Sequence, residues 1–216
     1  MEPEFWQQRW QENQIGFHQS EVNTHLKEHW QILSIPAGSN VFVPLCGKSL
    51  DIIWLRDQGY SVTGVEISPL AVEAFFLENN LVAEKHTTDD FTLYQSEGIN
   101  IYCGDYLKLS PRHLGSIRAV FDRASLIALP PNMRQDYVKH HVQLTDANIP
   151  VLLVTLEYPQ DQMNGPPFSV SEEEVINLYA GRYEIERLVD KDALVNEPRF
   201  AERGLTALHE KVYLLS

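Results

Sequence analysis

Val41-Phe42-Val43-Pro44-Leu45-Cys46-Gly47-Lys48-Ser49, followed by Ser61-Val62-Thr63-Gly64-Val65-Glu66, is the stretch whose reading decides the fold. Three apolar residues halted by Pro44 read as a short strand, since proline removes a ladder donor. Ser49 to Gln58 suits a helix that buries Leu50, Ile53 and Trp54 and stops at Gly59. Residues 61–65 form the next strand, closing on Glu66. Pro69 then stands in the first turn of a second helix carrying Leu70, Val72, Ala74, Phe75 and Phe76, where its missing N–H costs nothing. Strand, helix, strand, helix is the pattern of a parallel α/β sheet.

The pattern continues outward from there. Ile99 to Tyr102, Ala119 to Phe121 and Val151 to Leu156 read as strands, the last a continuous apolar run of the kind buried on both faces. Residues 132–145 supply a helix between the last two, and Tyr183 to Val189 and Val212 to Leu215 give two closing strands. Ahead of them, residues 3–32 read as two helices: Phe5, Trp6 and Trp10 recur at helical spacing, Ile15-Gly16-Phe17 interrupts, and Val22, Leu26 and Trp30 resume. Repeated β-α units predict a doubly wound sheet with its ligand across the carboxyl ends of the strands, at the point where strand order reverses.

Composition narrows the partners. The chain has 216 residues, 44% of them apolar, enough for one domain with its own core. With 17 Lys and Arg against 30 Asp and Glu, the formal charge is −13. That balance, with no run of basic residues, argues against nucleic acid and against anionic membranes. The longest aliphatic stretch, Val151 to Val154, falls far short of the roughly 20 residues a membrane helix needs. The start, Met1-Glu2-Pro3-Glu4-Phe5, lacks the basic and apolar regions of a signal peptide. Cys46 and Cys103 form no Cys-x-x-Cys pair, so both are expected as reduced thiols in a cytoplasmic protein acting on small molecules, and with no surface heptad or swapped element visible a monomer is expected.

Three ligand classes compete for the loop after the first strand. Gly47-Lys48-Ser49 suggests a phosphate loop, but the second glycine that motif needs is replaced by Phe42. A dinucleotide fingerprint needs three glycines to turn tightly and admit a pyrophosphate, and this loop has one. Glu66 nevertheless ends the second strand, where a carboxylate accepts hydrogen bonds from both ribose hydroxyls of an adenosyl group. Adenosine without phosphates points to S-adenosylmethionine; the plainer reading of Glu66 is an ordinary strand-end acid in water. Asp105, after the third strand, either reads a base edge or caps a helix N-terminus.

The ordered set of Val41 to Ser49, Gly64-Val65-Glu66-Ile67-Ser68, Phe121-Asp122-Arg123-Ala124 and Gly165-Pro166-Pro167-Phe168 closely resembles the thiopurine S-methyltransferase family. The resemblance runs nearly end to end, including Trp6 with Trp10, Phe17-His18-Gln19 and the terminal Glu210-Lys211-Val212-Tyr213-Leu214-Leu215, and is nearest to the bacterial branch. It implies a class I, Rossmann-like methyltransferase fold: a mostly parallel seven-stranded sheet with an antiparallel last strand. Residues 1–35 would be a helical lid and 36–216 the core of a single domain. It further implies S-adenosylmethionine held at Trp10, Leu45, Glu66 and Arg123, with Asp105 and Tyr106 near the adenine, and methyl transfer to aromatic or heterocyclic thiols. Arg203 departs from the aromatic residue found there in vertebrate-like members, which bears on substrate preference more than on the cofactor.

Methyl transfer from a sulfonium is an in-line displacement in which positioning and exclusion of water are the protein's main tasks. Aromatic thiols ionise readily, so a strong base is optional, whereas positive charge beside the anion helps. Arg123, at the end of the fourth predicted strand, keeps its charge at any working pH and offers a planar fork of donors. Asp122 either accepts a proton or orients its neighbour. The resemblance implies that the acceptor side falls to Phe17, Pro167, Arg199 and Arg203, although on spacing alone the two arginines read as solvated surface charges. Pro166 and Pro167 make a stiff wall, followed by Ser171 and Glu174 as a capping box. Trp10 and Phe17 would close as a lid, and Trp6 reads as core. A non-catalytic adenosyl-binding protein is the competing class.

No metal is expected. His25 and His29 stand four apart and His140-His141 are adjacent, but no carboxylate or third histidine completes a set at ligand spacing and no His-Glu-x-x-His occurs.

Overall fold

The computed structural model describes residues 3–88, 90–146 and 149–216. It falls into two compact units, Met1–Phe121 and Asp122–Ser216. Among the described residues the elements run α1 (Pro3–Gln11), α2 (Thr24–His29), β1 (Asn40–Val43), α3 (Asp51–Asp57), β2 (Ser61–Glu66), α4 (Pro69–Glu78), β3 (Glu84–Thr87), β4 (Phe91–Ser96), β5 (Ile99–Gly104), α5 (Pro111–Leu114), β6 (Ile117–Arg123), α6 (Ser125–Ala128), α7 (Pro131–Leu144), β7 (Val151–Glu157), α8 (Glu172–Tyr179), β8 (Ile185–Asp192), α9 (Pro198–Glu202) and β9 (His209–Leu215).

In the first unit the strands are ordered β3-β4-β5-β2-β1-β6. The pairs β5–β2, β2–β1 and β1–β6 are parallel, with Val41 opposite Val62 and Ala119, so the chain reverses direction of winding at β1. This places the loop after β1 at the switch point, where the sequence pattern put the ligand. Val41, Phe42, Val62, Val65, Ile101, Ala119 and Val120 are buried on this sheet, and Phe75 and Val72 of α4 and Ile52 and Leu55 of α3 pack within the core. Burial of such side chains is worth about 1.5–3 kcal/mol each. In the second unit β9 lies between β7 and β8 and is antiparallel to both, pairing Leu153 and Arg187 with Tyr213. The antiparallel last strand is therefore present.

Two differences from the sequence reading have plain causes. The described strands number nine rather than seven, because β3 and β4 form an antiparallel pair beyond β5. Glu84-Lys85-His86-Thr87 is exposed along its whole length, and β4 buries only Phe91 and Tyr94, so neither shows the alternation that marks a strand. In α3 the buried face is Asp51, Ile52 and Leu55, with Ile53 and Trp54 only half-buried. Asp51 turns inward because its carboxylate is engaged there by the Asn23 amide at 2.8 Å and the Ser49 hydroxyl at 2.8 Å.

Candidate active site

The loop after β1 is pinned to the end of β2 by its own amides. Cys46 N–H donates to Val65 O at 2.9 Å, and Gly47 N–H donates to Glu66 Oε2 at 2.9 Å. Glu66 Oε1 accepts from Ser68 N–H at 2.8 Å, where Ser68 caps α4. This close seat depends on Gly64: a Cβ there would stand 2.9 Å from Cys46 Sγ, too near for the loop to keep its place. Leu45, half-buried, makes the turn at φ 44, in the left-handed region that β-carbon residues seldom adopt. Burial raises the Glu66 carboxyl to about 7, against the opposing effect of its backbone donors. A carboxylate so placed gains by accepting further donors, which fits the hydroxyls of a ribose.

The side chains of the loop point away from phosphate chemistry. Lys48 pairs with Glu78 of α4 at 2.6 Å, and Ser49 is spent on Asp51. Cys46 and Cys103 are both buried thiols, and burial together with the nearby Glu66 raises both, Cys103 to about 12. Neither is a thiolate near neutral pH.

Trp10 of α1 lies over the loop, its ring 3.4 Å from where a Cβ on Gly47 would stand. Its other side meets Phe17 edge-on, with centroids 5.4 Å apart, and Phe17 meets Trp6 in the same way at 5.3 Å. Trp6 is half-buried within this aromatic group rather than a core residue, meeting Phe5 and Phe17 edge-on. Phe17 is 40% exposed, a large apolar ring left at the surface beside Trp10. On β5's far end, Asp105 accepts from Leu107 N–H at 2.9 Å and caps a 3-10 turn whose Tyr106 is buried. The capping reading of Asp105 thus holds, and its half-buried position leaves the base-edge reading open beside it.

In the second unit, Asp122 and Arg123 end β6. Asp122 is fully buried, its Oδ2 accepts from the Tyr137 hydroxyl at 2.7 Å, and Ser125 also donates to it. Burial raises its carboxyl to about 6. Arg123 is half-buried, and Ala124 after it takes φ 70 to open α6 sharply. Pro167 is half-buried and its carbonyl accepts from the Tyr158 hydroxyl at 2.5 Å, while Phe168 N–H donates to Ile127 O at 2.7 Å. Ser171 caps α8 through Glu174 N–H, but the Glu174 carboxylate does not return to the cap. It is taken at 2.5 Å by Arg134, a fully buried residue that sequence reasoning missed. Arg134 also donates to Leu126 O, Leu129 O and Ser169 O, tying the segment after Arg123 to the segment after Pro167. Arg199 and Arg203 are both exposed: Phe200 is buried in a small cluster with Leu205 and Leu208 and turns its neighbours outward, Arg199 onto Glu197 at 2.8 Å.

The thiopurine S-methyltransferase family model matches residues 1–216. The chain belongs to the thiopurine S-methyltransferase family. Relatives named thiopurine S-methyltransferase include one from Nitrosospira multiformis, 47% identical over the whole of this chain and 98% of its own length. Another, from Methylococcus capsulatus, is 45% identical over 100% of this chain and 97% of its own. Among solved structures, an S-adenosylmethionine-dependent methyltransferase from Thiobacillus denitrificans in complex with S-adenosylhomocysteine has a TM-score of 0.64 at 15% identity, covering 96% of each chain. A second, from Anabaena variabilis, has a TM-score of 0.62 at 13% identity, covering 99% of this chain and 95% of its own. The fold is that of the class I methyltransferases, the chain is an S-adenosylmethionine-dependent enzyme, and the buried Glu66 over an amide-lined loop fits that cofactor. No helix among the described residues is long and apolar enough to cross a membrane.

One expectation is corrected on α2. A carboxylate does stand at ligand spacing from the histidine pair: the ligand atoms of His25, Glu28 and His29 all come within 4.8 Å of one another. Glu28 was overlooked because it follows His25 by three residues and precedes His29 by one, an order opposite to His-Glu-x-x-His.

Proposed function

We propose that this enzyme transfers the methyl group of S-adenosylmethionine to the sulfur of aromatic or heterocyclic thiols such as thiopurines. The observation that carries the reading is the full-length family match, with relatives of that name covering all of the chain. When bound, S-adenosylmethionine supplies a methyl group already activated on a sulfonium. The chain's own residues do the rest: hold, orient and keep dry.

Glu66 would accept hydrogen bonds from the ribose hydroxyls, Leu45 and Trp10 would hold the adenosyl group, and Asp105 with Tyr106 would hold the adenine. Trp10 and Phe17, within the lid of residues 1–35, exclude water, and the whole chain works as one domain. Arg123 stabilises the anionic sulfur through a charged, forked donor. Asp122, buried under the Tyr137 hydroxyl, orients this strand end rather than serving as base. Pro167 walls the acceptor side, and Arg199 and Arg203 at its exposed rim draw in an anion. The net charge of −13 accords with a small-molecule acceptor, not nucleic acid or membrane, and with a monomer in the cytoplasm.

The deciding assay follows S-adenosylhomocysteine production with thiophenol and 6-mercaptopurine as acceptors. Turnover with either thiol, lost in Arg123→Met, supports the assignment. Binding of S-adenosylhomocysteine without methylation of any thiol would hand the protein to the non-catalytic class.

A further inference from the structure

We propose that His25, Glu28 and His29 form a binding site for one divalent transition-metal ion. The three residues occupy positions i, i+3 and i+4 of α2, so one helical face carries all three donors. The two imidazole rings lie nearly parallel, 6.0 Å between centroids and 22° between planes, as two ligands approaching one ion from the same helix would. Glu28 Oε2 is 3.9 Å from His29 Nε2. That Nε2 is buried and has no hydrogen-bond partner among the described residues, a position that normally demands one.

The site is partly built and partly adaptable. His25 is 3% exposed, so packing fixes its ring, and its place in the helix is set by Asn23, whose side chain accepts from the His25 and Leu26 amides. Glu28 is the exposed member, with 64% of its side chain open to solvent, so a change of rotamer shortens the remaining gaps to coordination distance. The His-x-x-Glu-His order of residues 25–29 is also a spacing that brings two helical imidazoles onto one zinc ion in an unrelated enzyme class. Two imidazoles and one carboxylate suit zinc, cobalt or nickel, whereas magnesium and calcium prefer all-oxygen sets. Water completes the shell on the exposed side. The consequence is mechanical: α2 has only six residues, too few for a stable isolated helix, and an ion bridging i to i+4 staples it.

The test is calorimetric titration of chelator-stripped protein with Co²⁺ and Zn²⁺, alongside the visible spectrum of the Co²⁺ form. We expect one equivalent bound, nitrogen-ligated Co²⁺ bands, and affinity lowered about tenfold or more in both His29→Gln and Glu28→Gln. Circular dichroism of the metal-free variants should match the parent, and the exposed Glu28→Gln guards against a folding defect at His29. Absence of stoichiometric uptake, or wild-type affinity in either variant, overturns the three-ligand site.

Discussion

The proposed ribose contact of the cofactor rests on one carboxyl group, Glu66. Burial holds it near 7, so close to neutral pH it is divided between acid and carboxylate. A ligand whose hydroxyls donate to it selects the carboxylate, and binding then releases a proton. S-adenosylhomocysteine should therefore bind about tenfold more weakly at pH 6 than at pH 8, measured by calorimetry. Glu66→Gln should bind weakly with no such slope; a flat profile in the parent protein would mean that the group does not titrate with the ligand. Trp10 carries a different expectation. Its ring covers Gly47 yet is only half-buried, so Trp10→Ala should weaken S-adenosylhomocysteine binding roughly tenfold while shifting the thermal midpoint little.

At the scale of elements, a buried cation ties α7 to two loops and to α8 in the second unit. Arg134 of α7 has no exposure and spends its donors on Leu126 O, Leu129 O, Ser169 O and the Glu174 carboxylate. Breaking a buried pair by removing one partner costs about 3–5 kcal/mol, since the remaining polar groups lose their donor. Arg134→Met should lower stability to urea by that order, with a smaller loss in Glu174→Gln, whose side chain is 28% exposed and keeps an acceptor. A loss under about 1 kcal/mol for Arg134→Met would refute the staple. This element also marks the limit of sequence reading. The core strands were legible because Val41 to Val43 and Val151 to Val154 are apolar runs next to a proline, and Ser61 to Val65 is a β-branched segment closed by Glu66. Glu66 was legible too, as the acid closing β2. Arg134 was not, because a charged residue in a helix looks solvated until its carbonyl partners, up to 40 residues away in the case of Glu174, are brought beside it. The same holds for Trp10 against Gly47 and for the inward turn of Asp51, both of which depend on contacts between distant segments rather than on period.

Over the whole molecule, three buried ionisable groups set the response to pH, and two of them run against the usual direction. Glu66 at about 7 and Asp122 at about 6 both lie above their ordinary carboxylate values through desolvation. For each, the stabilising proton is fully in place below the unfolded value and is lost as pH rises through the folded one, a span worth about 3 kcal/mol apiece. His141, fully buried and lowered to about 4 by desolvation, acts oppositely: its stability is present above 6.5 and lost as pH falls toward 4. Between pH 8 and 5 the two acids together outweigh the histidine, and the −13 charge also diminishes as carboxylates take up protons. The ligand-free protein should thus be more stable to urea at pH 5 than at pH 8, by about 2 kcal/mol. If the proposed contact of S-adenosylhomocysteine with ionised Glu66 holds, the ligand should stabilise more at pH 8 than at pH 6, closing part of that gap. Ligand-free protein that unfolds more easily at pH 5 would show that these acids are already ionised in the fold, and would remove the basis for the pH dependence of cofactor binding as well.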